Sequence, residues 1–179
     1  MDWLDIKEFI KDTFKYIIFI IAVLVIAIYV VGLQQVVGPS MSPTLKNNDI
    51  VILDKISYNF INIKRGDIVA LYYADTKYLI KRVIGLPGDT IEFQNNRLYI
   101  NGSFYAEEYL ASGTITEDFN LYEIGNYIIP EDMYFVLGDN RGDSLDSRSN
   151  EVGLIPKKDI LGKVRFQLWP LNKIKIIKW

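Results

Sequence analysis

The sequence predicts a mostly β protein, with a single N-terminal transmembrane helix followed by an antiparallel β-sheet or barrel-like domain. Residues 16–33 read YIIFIIAVLVIAIYVVGL and contain neither a charged side chain nor a proline. Beyond them, short apolar runs alternate with polar residues at a period of two and are separated by turn residues, as in β-strands. The chain has 179 residues, 50% of them hydrophobic, which is enough for one ordinary core. We therefore expect one β-rich domain at 34–179.

The first segment, 1–15, is predicted to be cytoplasmic or interfacial. It carries three lysines close to the apolar run, whereas the nearest basic residue on the other side is Lys46. Basic residues concentrate on the cytoplasmic side of membrane segments. This asymmetry predicts a cytoplasmic N terminus and an extracytoplasmic domain at 34–179.

The apolar run at 16–33 is interpreted as a retained membrane anchor. Eighteen helical residues extend about 27 Å, close to the roughly 30 Å hydrocarbon core of a bilayer. A buried helix is one alternative, but the run has no polar stripe. A cleaved secretion signal is another, because Val36 and Gly38 would suit a small-residue cleavage rule. The run is longer than a typical signal core and its flank contains acids, which favours the anchor.

Seven strands are predicted from alternation: 49–54, 67–73, 78–85, 90–93, 97–100, 134–138 and 163–169. Asn95-Asn96 and Asn101-Gly102 are hairpin-type turns, and 86–89 is a further turn. The polar stretch 103–130 is predicted to be a flexible insertion or cap. Residues 157–179 carry seven basic residues against one acid, which is typical of either a lipid-facing tail or a solvated strand face.

Composition excludes several function classes. The net charge is -2, which argues against nucleic acid as a partner. The chain contains no Cys and no His, so neither a thiol nucleophile nor a Ser-His-Asp triad can be built. A zinc site would need carboxylates alone, and we expect no metal and no cofactor. A hydrolase made from this chain needs another base.

Lys81 is the candidate for that base. Strand alternation places it on one face with Leu79 and Val83, while Arg82 points the other way. An ordinary lysine, with a pKa near 10.4, is almost fully charged at pH 7, but burial can lower a lysine pKa by about 3 to 5 units. A snorkelling lysine at a strand edge is the alternative. Ser40, in the turn that follows the apolar run, is a candidate nucleophile only if such a base lies beside it.

Four segments in order resemble the type I signal peptidase family of membrane-anchored Ser-Lys endopeptidases, which remove signal peptides from exported preproteins. They are SMSPTL at 40–45, RGDIV at 65–69, YLIKRVIGLPGD at 78–89 and GDNRGDSLDSR at 138–148. The resemblance implies an enzyme of the cell membrane with one span and an extracytoplasmic catalytic domain. Its partners would be signal peptides and the lipid bilayer, and its cut would follow small residues.

The resemblance also implies roles for individual residues. Ser40 would be the nucleophile and Lys81 its general base, with Ser144 orienting the lysine amine. The supporting residues would be an ion pair and a structural carboxylate: Asp146, Arg148 and Asp139. The pockets for small substrate side chains would be lined by Val36, Met41, Leu45 and Ile80. Substrate would bind as an added strand between 34–39 and 78–83.

The oxyanion hole is where the sequence departs from some family members. The Ser40 N–H is one expected donor. Gly38 stands where some relatives place a hydroxyl, and Pro39 has no N–H. The second donor is left unassigned.

Three other functions are compatible with parts of the sequence. RGD occurs at 65–67 and 141–143, which is a weak adhesion signal. A self-cleaving Ser-Lys protease of the repressor type would share the chemistry, but the anchor and the acidic pI argue against it. The remaining alternative is a catalytically inactive membrane-anchored β scaffold or binding protein.

Overall fold

The computed structural model describes residues 3–56, 62–73 and 77–177. Helix α1 (Trp3–Val30) comes first, and three 3-10 helices lie later in the described chain, at Leu121–Ile124, Lys157–Asp159 and Leu171–Lys173. The described strands are β1 (Val31–Gln35), β2 (Ile50–Asp54), β3 (Ile68–Tyr73), β4 (Lys77–Gly85), β5 (Ile91–Gln94), β6 (Arg97–Ile100), β7 (Ser103–Tyr105), β8 (Phe119–Asn120), β9 (Met133–Leu137), β10 (Ile155–Pro156), β11 (Ile160–Trp169) and β12 (Lys175–Ile176). The ends of the predicted segments, 1–2 and 178–179, lie outside the described residues.

These strands form two antiparallel sheets within the described ranges. The larger sheet has the order β1-β2-β11-β3-β4-β9-β10, with β12 paired to β11, and the smaller has the order β7-β6-β5-β8. The prediction of a mostly β, antiparallel protein with an N-terminal helix is confirmed. Strand β4 lies inside the larger sheet, hydrogen-bonded to β3 on one side and β9 on the other.

The predicted strands are found to within three residues at each end. The additional strands β7, β8, β10 and β12 are only two or three residues long, too short to show a period of two. β1 was missed for another reason: its first residues belong to the apolar run and were assigned to the helix.

The membrane prediction for 16–33 requires a correction. In the part of the chain that the structure describes, no helix combines the length and apolarity that a membrane crossing needs. The helix also ends at Val30, because residues 31–35 form β1 and pair with β2 from Val31↔Asp54 to Gln35↔Ile50. The hydrogen bonds to β2 stabilise the strand there. α1 nevertheless leaves large apolar side chains exposed, among them Phe14, Ile17, Phe19, Ile21 and Leu24.

The two sheets pack through an apolar cluster that includes Ile84, Phe135, Phe93 and Leu98. The segment 103–130, predicted to be an insertion or cap, contributes the buried residues Phe119, Leu121 and Ile129 to this cluster. It therefore forms part of the core between the sheets. A second cluster lies under β1 and β2 and contains all the predicted pocket residues: Val36, Met41, Leu45 and Ile80.

Candidate active site

Ser40 lies on a tight turn that is anchored by buried apolar side chains. The Ser42 N–H donates to the Pro39 carbonyl and the Leu45 N–H to the Met41 carbonyl, each at 2.9 Å. Met41 and Leu45 are 1% and 0% exposed. Because these side chains fix the turn from below, the half-buried Ser40 side chain has a defined backbone beneath it.

The approach to this turn requires glycine at position 38. Gly38 has a φ of +86°, in the left-handed region that only glycine adopts readily. Its N–H donates to Asn47 Oδ1 at 2.9 Å. The backbone amide at position 38 therefore already has a partner, and the position has no side-chain hydroxyl.

Lys81 is a buried cation on β4 with one short side-chain contact. It is 1% exposed, and Nζ lies 3.1 Å from the Ser144 Oγ to which it donates. Burial lowers the Lys81 pKa to about 8; Asp146 counteracts this effect and Arg148 adds to it. About a tenth of the amine is neutral at pH 7 with such a pKa, roughly 300-fold more than for an ordinary lysine.

Gly138 brings the two serines to the same stretch of backbone. A Cβ at this position would lie 2.2 Å from Ser144 Oγ and 2.5 Å from the Ser40 carbonyl oxygen. The Asn140 N–H also donates to the Ser40 carbonyl at 2.9 Å. Since Lys81 contacts Ser144, this close approach connects both serines and the lysine in one site.

The two predicted supporting carboxylates lie on either side of this backbone. Asp146 pairs with Arg148 at 2.9 Å and accepts the Gly138 N–H at 3.0 Å. Asp139, 1% exposed, accepts the hydroxyl of Thr44, on the Ser40 turn. Both carboxylates therefore hold backbone that carries or touches the candidate nucleophile.

Arg82 is the main residue of this region that the sequence did not single out. It forms a two-point ion pair with Asp139, at 2.8 and 2.7 Å, and is 1% exposed. Its guanidinium also donates to the Gly66 carbonyl and lies 3.9 Å from the centre of the Tyr109 ring. The sequence does show a basic residue at position 82 in a largely apolar strand. Strand alternation does not reveal which residues contact it.

A cleft of about 400 Å³ runs from this site between the two predicted substrate rails. Its walls include Gln34, Gln35, Val36, Val37, Ser40 and Met41 on one side and Tyr78, Leu79 and Ile80 on the other. Three predicted pocket residues, Val36, Met41 and Ile80, therefore line it. Leu45 is not among these walls, although it is buried in the same apolar cluster as the other three.

The two RGD triplets are not presented as adhesion motifs. In the first, Asp67 is 3% exposed and bonds to Lys163. In the second, Arg141 is 3% exposed and pairs with Glu107. A triplet whose charged member is buried offers no accessible ligand.

No cluster of three or more metal-ligating side chains occurs among the described residues.

Comparisons with known proteins identify the family of this chain. The family model described as "Signal peptidase, peptidase S26" matches residues 6–169. Signal peptidase I P of Bacillus subtilis subsp. natto is 40% identical over 178 residues, covering 96% of each chain. Signal peptidase I S of Bacillus subtilis strain 168 is 39% identical, covering 94% of each.

A solved structure is similar as well. The crystal structure of a signal peptidase I from Enterococcus faecalis V583 has a TM-score of 0.51 and 36% identity, covering 57% of this chain and 97% of that one. The fold and these matches define the class of the protein as a peptidase. More particularly, the chain belongs to the signal peptidase family, peptidase S26, and the resemblance found in its motifs is confirmed.

Proposed function

We propose that this protein is a serine endopeptidase that cleaves N-terminal signal peptides from exported preproteins after small residues. Ser40 is the nucleophile and Lys81 the general base. The observation that carries the proposal is the burial of Lys81, which lowers its pKa to about 8 while its amine contacts Ser144. A lysine of this kind has a neutral form that is accessible near neutral pH and can accept a proton.

The chemistry proceeds in two halves. Neutral Lys81 removes the Ser40 hydroxyl proton as Oγ attacks the scissile carbonyl, and the Lys81 ammonium then gives that proton to the leaving amine. Neutral Lys81 next takes a proton from water, whose oxygen attacks the acyl ester, and the Lys81 ammonium returns that proton to Ser40 Oγ as the ester bond breaks and the product acid leaves. The Ser40 N–H stabilises the oxyanion in each half. The second donor is unassigned, since Gly38 offers no hydroxyl and its N–H already donates to Asn47.

In this proposal the neighbouring polar residues hold the reacting groups in position. Ser144 orients the Lys81 amine through the 3.1 Å contact. Asp146, paired with Arg148, holds the Gly138 N–H, and Asp139 holds the Ser40 turn through Thr44. Such second contacts keep reacting groups within the small tolerances that proton transfer requires.

The substrate binds in the cleft as an extended strand between residues 34–39 and 78–83. Backbone pairing supplies affinity in strand addition, and pockets select alternate side chains. Val36, Met41 and Ile80 narrow the cleft with apolar surface, which suits small side chains at the first and third positions before the cut. Leu45 supports Met41 from below in the same cluster.

Attachment to the membrane belongs to the same proposal. The exposed apolar side chains of α1 include Phe14, Phe19 and Leu24, each more than half exposed, and such surfaces mark membrane or protein contacts. In this arrangement α1 contacts the bilayer through these side chains, and the sheets lie at the extracytoplasmic surface of the membrane. The cleft, which begins at β1 directly after α1, would then lie close to the bilayer where a signal peptide emerges.

A peptide cleavage assay on the detergent-solubilised full chain tests the proposal. The substrate is a preprotein peptide with Ala at both specificity positions. Ser40→Ala lowers kcat/KM by about 10⁴-fold or more, as loss of a nucleophile does in serine proteases. Ser42→Ala is the matched control on the same turn and retains activity. Equal cleavage by the wild type and Ser40→Ala contradicts the proposal, and an inactive wild type supports the scaffold alternative.

A further inference from the structure

A short segment after β7 holds two buried arginines. Glu107 accepts hydrogen bonds from both terminal nitrogens of Arg141, one of them at 2.9 Å. The Tyr109 hydroxyl donates to Glu107 at 2.5 Å, and the Tyr109 ring stacks 3.9 Å from the Arg82 guanidinium. Burial raises the pKa of Tyr109, so its hydroxyl remains a donor at neutral pH. Glu107 and Tyr109 thus form one clamp on two cations.

Arg141 links Glu107 to the backbone at Gly138. Its Nε donates to the Gly138 carbonyl at 3.1 Å, and its own carbonyl accepts from Arg148 at 2.8 Å. The Arg141 side chain is fully buried. An unpaired guanidinium at that depth is strongly unfavourable, so Glu107 is what allows Arg141 to occupy this position.

Arg82 links Tyr109 to the Ser40 turn through a separate set of contacts. Tyr109 covers the face of its guanidinium, while Asp139 accepts from its edge and from the hydroxyl of Thr44. Thr44 belongs to the turn that carries Ser40. Both routes therefore end at the two sides of one catalytic site.

We propose that Glu107 and Tyr109 are positioning residues: acting through Arg141 and Arg82, they fix the backbone that spaces Ser40 from Ser144 and keep water away from Lys81. This inference rests on the proposed function, because it concerns the same Ser-Lys pair. Neither residue touches substrate. Both lie in the segment whose sequence shows no strand or helix periodicity.

The environment of Lys81 makes this role measurable. Burial is the main reason for its low pKa, while Asp146, Asp139 and Asp143 raise the pKa and Arg148 lowers it. Loosening the backbone at Gly138 admits water and weakens the dominant effect. The Lys81 pKa then moves from about 8 back towards 10.5.

The experiment measures the Lys81 amine directly and activity separately. NMR titration of full-length protein carrying isotope-labelled lysine, assigned with Lys81→Met, reports the Lys81 pKa. Glu107→Gln is compared with Glu108→Gln, an adjacent exposed acid. We expect Glu107→Gln to raise the Lys81 pKa by about 1 unit. We expect kcat to fall about 10- to 100-fold, the scale of a small misplacement, with KM changed less than threefold.

Two further variants separate positioning from folding. Tyr109→Phe retains the ring on Arg82, whereas Tyr109→Leu loses the stacking. We expect the Lys81 pKa and kcat of Tyr109→Phe to lie between those of the wild type and those of Tyr109→Leu. Thermal unfolding is recorded for each. A Glu107→Gln protein that melts earlier but keeps the wild-type Lys81 pKa and kcat overturns the inference. A wild type that cleaves nothing overturns the proposed function. Because the titration needs no turnover, the comparison of Lys81 pKa values still tests whether Glu107 and Tyr109 position the site.

Discussion

Lys81 and Arg82 are neighbouring cations on β4, both 1% exposed, and the two faces of the strand surround them differently. Arg82 has a two-point carboxylate partner, a carbonyl and an aromatic ring. Lys81 has, within the described residues, a side-chain hydrogen bond only to the neutral hydroxyl of Ser144. A cation with a complete set of partners stays charged and holds structure. A cation buried against a neutral hydroxyl gives up its proton readily, which is what a general base requires.

The largest change in the free energy of unfolding is expected when the carboxylate that pairs with Arg82 is removed. Asp139→Asn leaves a buried guanidinium without its counter-charge, and breaking such a pair typically destabilises a fold by about 3 to 5 kcal/mol. Urea unfolding of the full chain at pH 7 measures the change. Exposed Glu131→Gln is the control and stays within about 0.5 kcal/mol of the wild type. An equally small change in Asp139→Asn would mean that the two faces do not differ as described.

The sequence predicted one of these faces and missed the other. Alternation in YLIKRVIG placed Lys81 on an apolar face because strand neighbours alternate whatever covers them. It could not reveal that Arg82 is equally buried, because its cover comes from Tyr109, 27 residues later in a segment without periodicity. The long strands were predictable for the same local reason. β1 was not, because an apolar run does not show where a helix ends when the cause is pairing with the distant strand β2.

The candidate site shows the same division. Motif positions predicted a site at Ser40, Lys81 and Ser144, and the structure brings both serines close to Gly138, with Lys81 in contact with Ser144. Burial was not readable from the motif: the predicted pocket residues Leu45, Met41 and Val36 are 0%, 1% and 2% exposed and pack in one apolar cluster. Glu107 was also invisible, because its importance lies in pairing with Arg141 across 34 positions.

A smaller effect of opposite sign is expected on the Lys81 face. Lys81 has a pKa of about 8 when folded and about 10.5 when unfolded, so below pH 8 the folded state carries a charge that burial disfavours by about 3 kcal/mol. Between pH 8 and 10.5 the unfolded state binds more protons, and wild-type stability rises with pH. Lys81→Met should therefore gain about 3 kcal/mol at pH 7 while abolishing cleavage. Urea unfolding at pH 7 and above pH 10.5 measures the gain, which should shrink at the higher pH. A gain that is equal at both values would come from packing and not from charge.

The smallest effect is expected at Ser144, and it distinguishes orientation from charge. Ser144→Ala removes the hydroxyl that fixes the Lys81 amine but leaves every charged neighbour in place. A hydrogen bond of this kind contributes about 1 kcal/mol, so kcat should fall about 5-fold with little change in KM. Ser149→Ala, on the same loop, is the control and keeps full activity. Steady-state cleavage from pH 6 to 10 should show the acidic limb still near pH 8, because burial sets that pKa first. If the acidic limb of Ser144→Ala moved by a full pH unit, Ser144 would control the charge of Lys81. The difference between Lys81 and Arg82 would then come from one hydroxyl and not from burial.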